Sequence, residues 1–577
     1  MINDSSYNKL ISKTFCDNAI RTVLMIDDQY VPYHKLLDLT KEETDLNTLN
    51  SKLGISEQAA LMQKFFEEKQ FICDVSDGAD GFDPEKARKS DLIVLDYHLE
   101  YENPKPTLEI LNKLSCSSHM NLVVLYTAED LEKTWLQIST SLKGGIVDDE
   151  TELFTNNEFK ELWEEKIEFE NGIPNDWDIL NHEDLSNQLL NKKHTNIVRK
   201  GAADLFDNAN KKFSNDLIAG ISNLQLKNFD LLNLPKPGRD IVGNFIGAKW
   251  LKIGNVFIAF YKKIPGTDDS KEIWGALNEA LIQWQPNYYR LISSEIQNRI
   301  ENDGIVFSRY LEPEYLEQAS WLWQLLKLDS NYSITDFLDN NHESFRDRII
   351  YDEDLNNFAN SVLETFSDNF PKDESEDEQI KFAIENTSKS LNSNDQALPS
   401  KVVHALNKSL STKEFLSEHI TTGTLLTDED KDDWYLCVSP ACDAMPKQNN
   451  SCISKRLNPN YKMLKFLKLK KIKQKSALEK AEHGKCLFLE EDKTLWVDEL
   501  PNIEYAFVHN GSRTYENVFK VSFLNRNDSE LIQEEKSLRV KAQLKEEYAA
   551  RFQALTSHHV GRIGVDFIQY PSRSEDE

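Results

Sequence analysis

Three short apolar runs near the start of the chain each stop at a chemically capable residue. Thr22-Val23-Leu24-Met25-Ile26 stops at Asp27-Asp28, Leu92-Ile93-Val94-Leu95 stops at Asp96, and Leu122-Val123-Val124-Leu125-Tyr126 stops at Thr127-Ala128. Short continuous apolar runs read as parallel strands buried on both faces. Sites in open α/β sheets lie beyond the carboxyl ends of such strands, so these acids and the hydroxyl are expected to converge. The set suits one divalent cation beside one phosphorylatable carboxylate. Strand-end acids acting only as caps or solvated turn residues would explain any single run, but three in this order favour a site.

The order and residue types resemble the receiver domain of two-component response regulators over about the first quarter of the chain. The specific parts are the acidic pair after a first strand, Asp96-Tyr97-His98-Leu99 after a third, and Thr127-Ala128 after a fourth. The resemblance implies that Asp96 accepts phosphate from a histidine kinase or phosphotransfer protein. It implies Mg²⁺ held by Asp27, Asp28, Asp96 and the backbone carbonyl of His98, with Thr127 as the switch hydroxyl. The chemistry agrees: Mg²⁺ takes oxygen ligands, a carboxylate nucleophile forms an acyl phosphate, and crowded anions need neutralising before a phosphoryl group can approach. A hydroxyl that bonds only the modified state can bias a two-state element.

Two departures stand out. Residues Tyr30 to Ser56 form a connection much longer than the usual 2–6 residues, with Pro32 and an acidic segment, and read as an insertion serving as a lid or partner surface. The helix resumes at Glu57 and is followed by a second strand, Phe71 to Val75. A fifth strand ending in lysine does not follow Thr127, and Lys143-Gly144-Gly145 has no strand before it. The nearest suitable run is Asn255 to Tyr261, ending at Lys262-Lys263, and Lys262 is assigned the phosphate-neutralising role. If that run closes the sheet, the stretch from about 146 to 240 is an insertion; if it does not, phosphorylation itself is in doubt.

The expected fold is multidomain: a flavodoxin-like doubly wound parallel sheet, a helical middle, and a C-terminal β-barrel or sandwich. The expected parts are a receiver-like domain at 15–145, a helical insertion at 146–240, a hairpin plus helical region at 241–365, an acidic linker at 366–395, and a β-rich domain at 396–570. Within the middle, Gly254-Asn255 is the turn of a hairpin formed by Phe245 to Leu251 and the Asn255 run. Lys271 to Ile300 has helical spacing broken at Pro286, and Glu314 to Leu328 continues it. His342-Glu343 with Arg346 faintly resembles a kinase phosphohistidine helix, without the nucleotide-binding boxes a kinase needs. From about Thr421, short runs with turn residues between them read as strands, then Ser537 to Leu555 as a helix and Val560 to Ile568 as a last strand.

With 67 Lys and Arg against 97 Asp and Glu, the net charge of −30 argues against general nucleic-acid binding and against docking on anionic lipid. No run approaches the roughly 18 apolar residues of a membrane span. The polar first 20 residues lack a signal-peptide pattern, and seven cysteines are no disulfide framework, so the cytoplasm is the expected home. Lys455 to Lys475 carries nine Lys or Arg and no acid. It reads either as a nucleic-acid or acidic-protein contact, or, preferably, as a lysine-guarded strand edge or an internal partner of Asp428 to Asp433.

The leading expectation is a signalling protein whose Asp96 phosphorylation controls, or merely buffers, an unidentified output through a downstream protein partner. Large receiver-bearing chains of this build also carry a loose association with phage defence. The alternatives are a receiver-gated hydrolase or nuclease using Cys442, Asp443 and His558, and a pseudo-receiver that binds partners without phosphate; a Cys442 pair with His558 or His559 and a zinc site on Cys437, Cys442 and a histidine are weaker readings than a buried structural cysteine beside a turn Cys-Asp.

Overall fold

The structure is a computed structural model of the full chain. It describes residues 4–30, 32, 58–78, 84–101, 103–117, 119–146, 180–204, 211–235, 238–264, 268–303, 352–388, 395–444, 452–490, 492–497, 502–527 and 530–560. The proposed lid at 30–56, the helix at 314–328, His342 and the last strand beyond Val560 therefore fall outside the described residues or almost entirely so. Two compact units divide the chain, Met1–Phe370 and Pro371–Glu577.

The first unit is built on a seven-stranded sheet. Its strands are β1 (Thr22–Ile26), β2 (Ile72–Ser76), β3 (Leu92–Leu95), β4 (Asn121–Thr127), β5 (Ile241–Asn244), β6 (Trp250–Ile253) and β7 (Val256–Lys262), in the order β2-β1-β3-β4-β7-β6-β5. The first five in that order run parallel, as in a flavodoxin-like doubly wound sheet. β6 and β5 add an antiparallel edge.

The strands pack on both faces because their side chains alternate. Leu24, Ile26, Ile93, Leu95, Val123, Leu125, Ile258 and Phe260 face one core, shared with helices Lys105–Ser115 and Leu131–Lys143. Val23, Met25, Leu92, Val94, Leu122, Val124, Phe257 and Ala259 face the other, shared with Tyr7, Ile11, Phe66, Ile273 and Leu277. This two-sided burial is why the runs lack polar alternation.

β7 is the fifth parallel strand, pairing with β4 from Asn121↔Val256 to Thr127↔Lys262. Among the described residues, the connection from β4 to β7 holds helices His182–Leu189, Asn196–Asp204 and Lys211–Lys227, whose Leu185, Leu189, Leu217 and Ile221 join the first core. The turn Gly254-Asn255 joins β6 to β7. Gly254 has φ +51°, and a Cβ there would lie 2.1 Å from the Ser115 carbonyl oxygen, so only glycine fits. The hairpin differs from expectation at its first arm. The strand begins at Trp250, residues 246–248 bend, and β5 lies outside it as an edge strand. Gly247, inside this bend at φ +76°, takes a backbone conformation that a strand does not continue through.

In the second unit, the acidic stretch expected as a linker contains helix Glu376–Glu385, capped at Ser375. Its three acids at the first turn favour a helix N-terminus. The strands are β8 (Thr412–Lys413), β9 (Thr424–Asp428), β10 (Asp433–Cys437), β11 (Tyr461–Lys471), β12 (Cys486–Phe488), β13 (Thr494–Trp496), β14 (Asn502–His509), β15 (Val518–Asn527) and β16 (Glu530–Leu544). The path β10-β9-β16-β15-β14-β11 returns to β10, which closes a six-stranded antiparallel barrel. Closure removes the sheet edges. Ser537 to Leu544, expected as helix, is the end of β16, and the helix starts at Glu546. The stripe Val540, Leu544, Tyr548, Phe552 spans both elements, and a bulge between Val540 and Ala542 obscured the strand's alternation.

Candidate functional site

Parallel pairing brings the ends of β1, β3, β4 and β7 to one edge of the sheet. The Asp27 amide donates to the Ser76 carbonyl at 3.1 Å and the Asp96 amide to the Ile26 carbonyl at 2.9 Å, which extends the ladder one residue past each strand. Asp27 and Asp96 are buried and Asp28 is exposed. Carboxylate oxygens of the three lie within 4.8 Å of one another, the sole cluster of potential metal-ligating acids, histidines or cysteines among the described residues. Oxygen-only donors in this number suit a hard divalent cation.

A lysine sits in the same place. Lys263 Nζ is 2.7 Å from Asp27 Oδ2 and 2.9 Å from Asp96 Oδ1, with its side chain 18 % exposed. Burial disfavours its charge, but Asp27 and Asp96 more than compensate and hold its pKa above the ordinary lysine value. Burial pushes the Asp96 carboxyl up to about 6, with Lys263 pulling it down and Asp27 pushing it up. Asp28 is raised as well, by desolvation first and by the neighbouring Asp27 second.

Lys263, and not Lys262, is thus the cation beside the acids. Lys262 is exposed and acts on Asp130, at the start of the helix after β4. Strand parity explains the correction. Val23, Met25 and Asp27, then Leu92, Val94 and Asp96, lead out along one face of the sheet, and Phe257, Ala259, Tyr261 and Lys263 share it. Lys262 falls on the opposite face with Ile258 and Phe260. Counting residues from the cores would have chosen the right lysine.

Thr127 is 1 % exposed at the end of β4, and its hydroxyl accepts from the Glu129 amide at 3.2 Å. The Lys263 amide donates to the Thr127 carbonyl at 2.8 Å, tying hydroxyl and lysine to one backbone ladder. The Thr107 hydroxyl donates to the Asp96 carbonyl at 2.9 Å. The His98 ring lies 3.6 Å from Glu129 and its Nδ1 is buried without a hydrogen-bond partner. Sequence reading missed a second layer. The Tyr126 hydroxyl donates to Asp269 at 2.9 Å, the Ile264 amide donates to the same carboxylate at 3.1 Å, and Lys263 Nζ lies 5.0 Å from the centre of the Tyr126 ring.

Among the described residues, Cys437 and Cys442 form no common site. Cys437 is buried in the barrel core, its thiol pushed up to about 12 by burial. Cys442 is exposed, with Sγ 3.8 Å from Asp443 Oδ1. His558 and His559 lie on helix Glu546–Val560, their side chains outside the described residues. The Lys455–Lys475 stretch supplies β11, which is paired on both sides and so is not an edge. Lys468 meets Asp433 at 3.0 Å and Lys471 pairs with Asp432, in line with an internal role for these two.

Residues 19–170 match the family described as Response receiver domain. No curated protein and no solved structure matches the chain significantly. The first unit therefore contains a receiver domain, a kind of domain that suggests two-component signalling, and the remaining residues stay unassigned. No described helix is long and apolar enough to cross a membrane.

Proposed function

We infer that Asp96 takes a phosphoryl group from the phosphohistidine of a kinase or phosphotransfer protein. A carboxylate oxygen of Asp96 forms the new bond to phosphorus, the phosphorus–nitrogen bond breaks, and its electron pair stays on the donor's imidazole. Asp27, Asp28 and Asp96, with the carbonyl of His98, would hold Mg²⁺, which supplies charge neutralisation for the incoming phosphoryl oxygens. Lys263 holds Asp96 in place and offers its ammonium to the product. The Thr127 hydroxyl, at the end of the neighbouring strand, is the group that would turn to a phosphoryl oxygen, a contact available in the modified state alone.

The observation carrying this inference is the position of Lys263, 2.9 Å from Asp96 and 2.7 Å from Asp27, at the edge where the acids cluster. It speaks against a pseudo-receiver, in which no cation would stand by the acceptor. The test is incubation with acetyl phosphate and Mg²⁺ followed by intact-mass measurement. Wild type gains one phosphoryl group and Asp96→Asn gains none. Equal labelling of both removes Asp96 from the role.

A further inference from the structure

The barrel of the second unit is filled at one end and open at the other. Along β11, Lys462, Leu464, Phe466 and Lys468 share one face, with Leu464 and Phe466 in the barrel core. At the filled end Lys468 meets Asp433, and Lys536 sits 3.0 Å from the Tyr435 hydroxyl and 3.6 Å from Asp433, its ammonium 5.0 Å from the centre of the Phe523 ring. At the other end, residues of β11, β14 and β15 together with the segments at 418–420, 455–459 and 510–513 line a cavity of about 710 Å³. That is within the roughly 300–1,000 Å³ range of small-molecule sites, for which barrel mouths are a common location.

The lining has two characters. Ile420, Leu464, Val508 and Phe519 form apolar walls. Lys455, Lys462 and Arg513 outnumber Glu418, the one carboxylate among the described lining residues, while burial holds His419 towards its neutral form and His509 lies 3.7 Å from Glu535. In a chain of net charge −30, such a local excess of cations focuses a positive field into the cavity. Lys462 is 5 % exposed, and burial pulls its ammonium below the ordinary value against the attraction of Asp443. Arg513 is held in orientation, its Nε and Nη2 donating to Asn517 Oδ1 at 2.9 and 2.7 Å and its guanidinium 5.8 Å from the centre of the Phe415 ring. Apolar walls beside cations match a ligand that is part ring and part anion, and a cavity of this volume suits a small molecule.

We propose that this mouth binds a small phosphate-bearing molecule of nucleotide type, its phosphate on Lys462 and Arg513 and its ring against Val508 and Phe519. Titration calorimetry of the full chain with ATP, GTP and inorganic pyrophosphate tests it. At least one nucleotide binds saturably in the micromolar range, about 100 µM or tighter, and pyrophosphate, lacking the ring, binds more weakly. Lys462→Met weakens the nucleotide at least tenfold. Arg513→Gln, at an exposed position, weakens it severalfold and decides the matter if Lys462→Met fails to fold. No saturation by either nucleotide overturns the proposal, as do variants that bind like wild type, pyrophosphate binding as tight as the nucleotides, or binding confined to a single-stranded oligonucleotide.

Discussion

Replacing Lys263 with Met removes the one cation among the described residues that touches both buried acids. Each contact, at 2.7 and 2.9 Å, is worth about 6 kcal/mol at an effective dielectric constant of about 20 before desolvation is counted. The ammonium is largely desolvated, which offsets much of that, and breaking a buried pair from one side costs about 3–5 kcal/mol. Asp96 already stands near pKa 6 and escapes part of the repulsion by taking a proton, so the loss should sit near 3 kcal/mol. For the first unit, at about 2.1 cal/mol/K per residue over Met1–Phe370, this amounts to a fall of roughly 4 °C in the unfolding midpoint, measured by calorimetry without divalent cations at pH 8. Mg²⁺ should then restore more stability to the variant than it adds to wild type, because a second cation enters a site that no longer holds the first. Equal midpoints for the two proteins, with equal responses to Mg²⁺, would refute the assignment of Lys263 as the counter-charge of this cluster.

Other outcomes follow from the same contacts. Asp91, at the opposite end of β1 and β3, accepts from the Arg21 and Thr22 amides at 3.0 Å. Although burial raises its pKa, the His119 and Arg21 interactions hold it below the ordinary value. Its stabilisation is therefore present above about pH 4 and lost as pH falls through the depressed value, so Asp91→Asn should cost about 1.5–3 kcal/mol at pH 7 and progressively less towards pH 3 in denaturant titrations. Gly254→Ala places a methyl group on the Ser115 carbonyl in a left-handed turn and should lower stability by more than about 1 kcal/mol while reducing Asp96 labelling, since Lys263 directly follows β7. Thr127→Ala should still be labelled by acetyl phosphate but lose the difference in hydrogen exchange between unmodified and phosphorylated protein; a retained difference would clear Thr127 of a switch role.

Most of the receiver core was legible because its signals are local. Runs such as Leu92 to Leu95 are apolar at every position, as two-sided burial requires, and each ends at a site residue. Asp27, Asp28 and Asp96 could be placed together from strand ends alone. Lys263 needed one more step, because two adjacent lysines point to opposite faces and only the parity of the strand separates them. The Tyr126–Asp269 bond joins residues 143 apart and has no local signature. In the barrel, Ser537 to Leu544 read as helix because a bulge shifted the alternation just where helical spacing happened to continue into the next element. The acidic run at 373–378 read as a linker, though acids clustered at a helix N-terminus are equally well explained by the helix dipole.

The central claim is that the carboxylate of Asp96 carries the phosphoryl group. Borohydride reduction of protein treated with acetyl phosphate and Mg²⁺ converts an aspartyl phosphate to homoserine, which peptide mass spectrometry locates. Homoserine at position 96, dependent on Mg²⁺ and strongly reduced in Lys263→Met, is the expected result. Homoserine at another aspartate, or none in a protein that nonetheless gains phosphate, would contradict it.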